Sequence, residues 1–177
     1  MSRRYLVGGP KNSGKSTFVL SLTEYLKSRG RTAEAVELDI WGNSYPAFRG
    51  EVSFDERPKS DHLDWPWREK LQPRLDQYLA SDAEFVFGDM PGVWGAAICH
   101  MCEQIGKKTD GAFVVSRTLE GLDEWRRFFA KDFFIRIAFE CLTMTKRRPL
   151  VIVGMNRLVQ GDHPDVVPFA EALLAQR

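Results

Sequence analysis

The sequence predicts an α/β protein of three layers, with a mainly parallel central sheet flanked by helices. Short β-rich runs alternate with stretches of helical spacing along the chain, which is the rhythm of parallel βα units. Several of those runs are uninterrupted apolar segments, as strands covered on both faces are. The first of them passes directly into glycines and then into a helical pattern.

Residues 4–7 form the first expected strand. Lys15–Ser28 reads as a helix because Phe18, Val19, Leu22 and Leu26 recur at helical spacing and Gly30 follows as a stop. A second strand is expected at 33–38, ending on Asp39, and a third at 85–87, ending on Gly88-Asp89. A fourth falls at 112–115 and a fifth at 150–153, ending near Asn156. Two regions break the rhythm. Residues 41–67 carry Trp41, Tyr45, Phe48, Phe54, Trp65 and Trp67 among prolines with no clean period. So many aromatics argue against disorder, and an irregular stretch of this length is usually functional. Residues 120–145 read as helical and hold Trp125, Phe128, Phe129, Phe133, Phe134 and Phe139. They are expected to be a pair of buried helices or, in the sharper reading, a hydrophobic surface for a protein partner running from Phe128 to Phe139.

At 177 residues the chain is long enough for one good core and short for two, so 1–177 is expected to be a single domain with an irregular insert at about 41–67. A formal net charge of +1 gives no global field to recruit nucleic acid or an anionic membrane. The basic runs Arg3-Arg4 and Lys146-Arg147-Arg148 each adjoin an expected strand and read as solvated element ends. Arg3 and Arg4 lead into a very short apolar stretch, which is no signal peptide. The longest apolar-rich run, 133–144, carries Arg136 and Glu140 and is too short to span a bilayer. Three cysteines make no disulfide scaffold, so a cytoplasmic protein without a membrane segment is expected.

The motif G-x-x-x-x-G-K-[ST] appears in full as Gly9-Pro10-Lys11-Asn12-Ser13-Gly14-Lys15-Ser16, with Thr17 behind it. Glycines let a backbone wrap a phosphate without side-chain clash, and successive N–H groups become anion donors. The following helix presents its positive N-terminus to the same anion. Lys15 is placed to reach the terminal phosphates and the Ser16 hydroxyl to ligate Mg²⁺. Such a site needs a second acid for the metal or its water shell. Asp89 is that candidate, because it ends a β-run at the carboxyl edge of the sheet. The run Asp89-Met90-Pro91-Gly92 has the form D-x-P-G, and the Gly92 N–H there can meet a γ-phosphate. Asp39, also at a strand end, is a candidate to orient water, accept a proton or hold a metal-bound water; capping the next segment is its alternative. Asn156-Arg157 is the candidate base-recognition site, since an Asn amide offers a donor and an acceptor to the edge of adenine.

In this order the features resemble the P-loop class that holds dethiobiotin synthetase, the Min-type and Par-type ATPases, the nitrogenase iron protein and the metallochaperone NTPases. The resemblance rests on Gly9 to Ser16, Asp39, Asp89-Met90-Pro91-Gly92, Val114-Val115-Ser116 and Val153-Gly154-Met155-Asn156-Arg157. It implies the P-loop NTPase fold, MgATP as ligand, Asn156 against adenine, and often a homodimer across the nucleotide face. Two departures matter. Min and Par members carry an early loop lysine that reaches the partner's nucleotide, whereas here Pro10 holds that place and Lys11 is displaced by one. The guanine-reading N-K-x-D pattern is absent at Asn156-Arg157-Leu158-Val159, which favours ATP over GTP.

Cys99-His100-Met101-Cys102 is a C-x-x-C without a second pair. It is either two small residues packing into a core or, completed across a symmetric dimer, a zinc or iron–sulfur site. Three functions follow from the sequence: an ATP-hydrolysing switch, a small-molecule kinase or ATP-dependent ligase with its acceptor pocket in 41–67, and a non-hydrolysing regulatory or metal-carrier module.

Overall fold

The computed structural model describes residues 2–41, 45, 66–143 and 166–175. Strands β1 (Arg3–Gly8), β2 (Ala33–Glu37), β3 (Phe85–Asp89), β4 (Gly111–Ser116) and β5 (Ile137–Leu142) form one sheet. Their spatial order is β2-β3-β1-β4-β5, and every pair is parallel. All residues of β3 and β4 are buried, as their unbroken apolar runs require of strands covered on both faces.

Helix α1 (Lys15–Ser28) has the predicted bounds, and Gly30 ends it at φ 75° with its N–H on the Lys27 carbonyl. It shares one face of the sheet with α5 (Val167–Ala175), over a core containing Phe18, Phe87, Phe113 and Phe169. The opposite face is covered by α2 (Trp67–Ala80), α3 (Ala96–Ile105) and α4 (Leu119–Arg127), packed on Leu6, Val86 and Val114. The expected three layers are therefore present. Among the described residues no helix is long and apolar enough to cross a membrane.

The structure corrects two expectations. Trp67 does not belong to an irregular insert but opens α2, while 42–44 and 46–65 lie outside the described residues. The described part of 120–145, up to Thr143, is also not a pair of helices. After α4 comes a π-helical turn, Phe128–Asp132, then Phe134 at φ 56°, then β5 beside β4. A short apolar run such as Ile137–Leu142 reads alike as buried helix or strand by periodicity. Pairing with β4 decides it, and Arg126 of α4 fastens the new strand through Glu140. Phe128 and Phe139 consequently end on opposite faces of the sheet, so they do not form the single helical partner surface expected from the sequence. The fifth strand expected at 150–153 lies outside the described residues.

Phe113 is the aromatic hub of the α1 face, with Tyr5, Phe18 and Phe139 rings at 5.4, 5.7 and 4.9 Å. Phe113→Ala should cost about 3–5 kcal/mol in denaturant unfolding, as deletion of a wholly enclosed ring does; a loss under about 1 kcal/mol would contradict this packing.

Candidate functional site

The loop from Gly9 to Ser16 leaves the carboxyl end of β1 at the centre of the sheet, between β3 and β4. Its path is dictated by close contact. Gly9 has φ 151°, and a Cβ there would stand 1.8 Å from the Val115 carbonyl oxygen, so no other residue fits. Asn12 and Gly14 take left-handed conformations, at φ 61° and 91°. Gly14 caps α1 without a side-chain bond, and the first turn holds no acid. The N–H groups of that turn are left for an anion. Pro10 packs where the early lysine of the resembled class would stand: a Cβ on Gly121 of α4 would be 2.9 Å from its ring. The Ser13 N–H closes the loop onto the Pro10 carbonyl at 3.2 Å. From the far side the Thr143 hydroxyl lies 2.7 Å from the Ser13 carbonyl and 3.1 Å from that of Ser116.

Lys15 is buried and donates Nζ to the Pro10 carbonyl at 3.0 Å. Burial lowers its pKa, against the pull of Asp89 and Asp39. Asp89 aligns with Val7 of β1 and Glu37 of β2 at the carboxyl edge of the sheet. It is 1% exposed, and neither carboxylate oxygen has a hydrogen-bond partner. Desolvation pushes its pKa up to about 7; Lys15 and the nearby Ser16 hydroxyl hold it down, whereas Asp39 and Glu37 raise it further. Two orphaned, buried carboxylate oxygens beside a serine hydroxyl are an incomplete hydrogen-bond set. That donor set fits a hydrated Mg²⁺, a hard cation that keeps its waters and takes one or two protein oxygens.

Asp39 accepts the Trp41 N–H at 3.1 Å, so it does cap the following segment, while its charge also bears on Lys15 and Asp89. Arg74 of α2 ties the end of β2 down, donating to the Glu37 and Asp39 carbonyls at 2.8 Å each. Gly92 is pressed against the loop: a Cβ there would stand 2.6 Å from the Lys11 backbone and 2.9 Å from Lys15 Nζ. Thus Lys15, Ser16, Asp39, Asp89 and Gly92 are brought together around the loop, with Thr17 in the first turn of α1. Asn156 and Arg157 lie outside the described residues. Cys99 and Cys102 are not brought to a shared open face: Cys99 is exposed, Cys102 is buried on α3, and burial pushes its thiol up. Among the described residues no three of His, Cys, Asp and Glu stand together as a metal set. Sequence reasoning did not find Thr143, Arg74 or Gly121, because nothing in a distant threonine or glycine signals a contact across the sheet.

Comparison with solved structures identifies the fold. Cobyrinic acid a,c-diamide synthase from Mycobacterium smegmatis, with bound ADP and magnesium, superposes with a TM-score of 0.57 at 16% identity, over 98% of this chain and 94% of the other. The fold is the P-loop NTPase fold. A putative plasmid partition protein from Borrelia burgdorferi bound to AMPPNP gives a TM-score of 0.58 at 12% identity, over 100% of both chains. The septum site-determining protein MinD from Pyrococcus horikoshii, complexed with Mg-ADP, gives 0.55 at 16% identity over 84% of this chain and 73% of its own. No protein-family profile matches the sequence, and no curated protein matches it.

Asp89 titrates in the folded protein above its ordinary value near 3.8. Its contribution to stability is therefore full below about pH 4 and is lost as pH rises through about 7. Between about pH 5 and about pH 8 the wild type should lose roughly 1–4 kcal/mol relative to Asp89→Asn in denaturant unfolding. A pH-independent difference would refute the shift. Separately, Thr143→Val should destabilise the protein by about 1–3 kcal/mol by removing the hydroxyl that the Ser13 carbonyl accepts, and Thr143→Ser should recover most of that in the same measurement.

Proposed function

We propose that the chain binds MgATP at the loop and hydrolyses it as a nucleotide-dependent switch. The observation that carries this reading is the pairing of a complete phosphate cradle with the orphaned Asp89 carboxylate, next to a Gly92 backbone packed on Lys11. The loop N–H groups and the start of α1 bind the β- and γ-phosphates. Lys15 exchanges the Pro10 carbonyl for phosphate oxygens, which restores a strong partner to a buried ammonium. Ser16 and Asp89 would hold Mg²⁺ and its waters, and the metal so held would supply positive charge against the phosphates. Holding the metal would require Asp89 in its ionised form, and the group would give up its proton at pH values below its raised pKa. Asp39 orients a water near the γ-phosphate. Asn156 is read as the adenine contact, and a homodimer across the nucleotide face as the assembly. The solved neighbours that hold ADP, magnesium or AMPPNP support the choice of ligand.

A second reading, phosphoryl transfer to a small acceptor, is favoured by one observation. Tyr45 of the aromatic segment buries a hydroxyl with no hydrogen-bond partner, and its pKa is raised by burial first and by the charge of Asp89 next. Release of phosphate from ATP with no added acceptor distinguishes hydrolysis from transfer.

Lys15→Ala should weaken MgATP binding and lower turnover by about a hundredfold or more. Calorimetry and phosphate release measure both, with mass determined in ATP and in ADP. Equal ATP binding by wild type and Lys15→Ala would overturn the site, and unchanged protease protection and mass in the two nucleotides would overturn the switch.

A further inference from the structure

Trp94 follows Gly92 by two residues and stacks on Trp125 of α4, with centroids 4.4 Å apart and planes at 25°. The rings differ in freedom: Trp94 is 42% exposed and Trp125 is 1% exposed. Trp125 is held by the root of the phosphate loop. A Cβ on Gly8, the last residue of β1, would stand 2.5 Å from its ring. At the other end Gly92 is wedged on Lys11 and faces Lys15 Nζ. The contacts therefore run in a closed circuit from the loop through Gly92, Trp94 and Trp125 back to Gly8.

We propose that the Trp94–Trp125 stack is a latch: it holds the Asp89-Met90-Pro91-Gly92 segment in its present position and releases when a γ-phosphate enters beside Lys15, carrying the nucleotide state to α4. This rests on the MgATP reading above and adds to it the element that transmits the change. Lys15 now donates to the Pro10 carbonyl beside Gly92, and to meet a phosphate it must leave that oxygen. A γ-phosphate there draws the Gly92 N–H onto its oxygens. Gly92 and Val93 form a bend, and only Val93 separates Gly92 from Trp94. A step of Gly92 must therefore either straighten that bend or pull on Trp94, whose ring is held on Trp125. A stack of this geometry biases an equilibrium about twofold to tenfold, strong enough to set a resting state and weak enough for a phosphate to break. Release uncovers the face of Trp125 and the edge of Phe128, whose ring lies 4.6 Å from that of Trp94. It also reshapes the open groove that Trp94 forms with Glu124, Arg127, Phe128 and Asp132. The output of the switch is then the surface of α4, on the opposite face of the sheet from α1.

The test uses the full chain as wild type, Trp94→Ala and Trp94→Phe, nucleotide-free, with MgADP and with Mg-AMPPNP. Intrinsic fluorescence and the exciton-coupled circular dichroism of the stacked indoles follow the latch, calorimetry gives affinities, and the thermal midpoint checks folding of the half-exposed variants. The wild type should show the indole coupling when free and with MgADP, and lose it with Mg-AMPPNP. Trp94→Ala should lack the coupling in every state, bind MgADP as the wild type does, and bind Mg-AMPPNP about twofold to tenfold more tightly. Trp94→Phe, which keeps a ring on Trp125, should return the wild-type preference. Wild-type coupling that survives Mg-AMPPNP binding, or nucleotide preferences identical in wild type and Trp94→Ala, would overturn the latch and leave the MgATP reading standing. Failure of all three proteins to bind either nucleotide would overturn both.

Discussion

Lys15 and Asp89 are both almost wholly withdrawn from water, and the chain does not fully satisfy either. Desolvation lowers the pKa of the ammonium and raises that of the carboxyl, and each limits the shift of the other. A buried charge with one partner is expensive, and a buried carboxylate with no hydrogen bond is more so. The pair is tolerable because the sheet order forces it. β1 lies between β3 and β4, so the strand that ends in the loop is flanked by the strand that ends in Asp89. A site held in this state favours a phosphate and a hydrated cation, since together they complete both half-satisfied groups.

Around that pair the backbone packs at three glycines more closely than a side chain there would allow. Gly9 lies against Val115, Gly92 against Lys11, and Gly121 against Pro10 and Ser116. Each contact joins the loop to a different part of the fold, namely β4, the segment after β3, and α4. The loop is therefore framed by its neighbours as well as by its own turn geometry. Thr143 completes the frame by tying the end of β5 to Ser13. Displacing any one neighbour changes the position of the phosphate donors, which is the property a nucleotide-dependent device needs.

The aromatic residues divide along the sheet. Phe18, Phe87, Phe113, Phe139 and Phe169 consolidate the face under α1 and α5, far from solvent or nearly so. Trp94, Trp125, Phe128, Phe129 and Phe133 form the other group, and it reaches the surface at Trp94. The first group is rigid support for the helix that carries Lys15. The second connects the segment after Asp89 to α4.

Much of this was legible in the chain. The motif from Gly9 to Ser16, the bounds of α1, the strand before it and the strand ending in Asp89 follow from local spacing, since glycines, a helical apolar period and a strand-end acid each declare their role within a few residues. The conformation after Arg127 was not legible, because Ile137–Leu142 has no local signature that separates a buried strand from a helix; only pairing with β4 decides it. Nor were the parts played by Thr143, Arg74 and Trp94, whose partners stand far away in sequence or, for Trp94, across a fold that brings α4 beside it. The sequence by itself determined that a phosphate-binding loop opens a helix and that an acid waits at a strand end. Only the tertiary structure decided that Asp89 is buried without partners and that Gly92 is wedged against Lys11, because burial and contact are properties of which strands and helices end up adjacent.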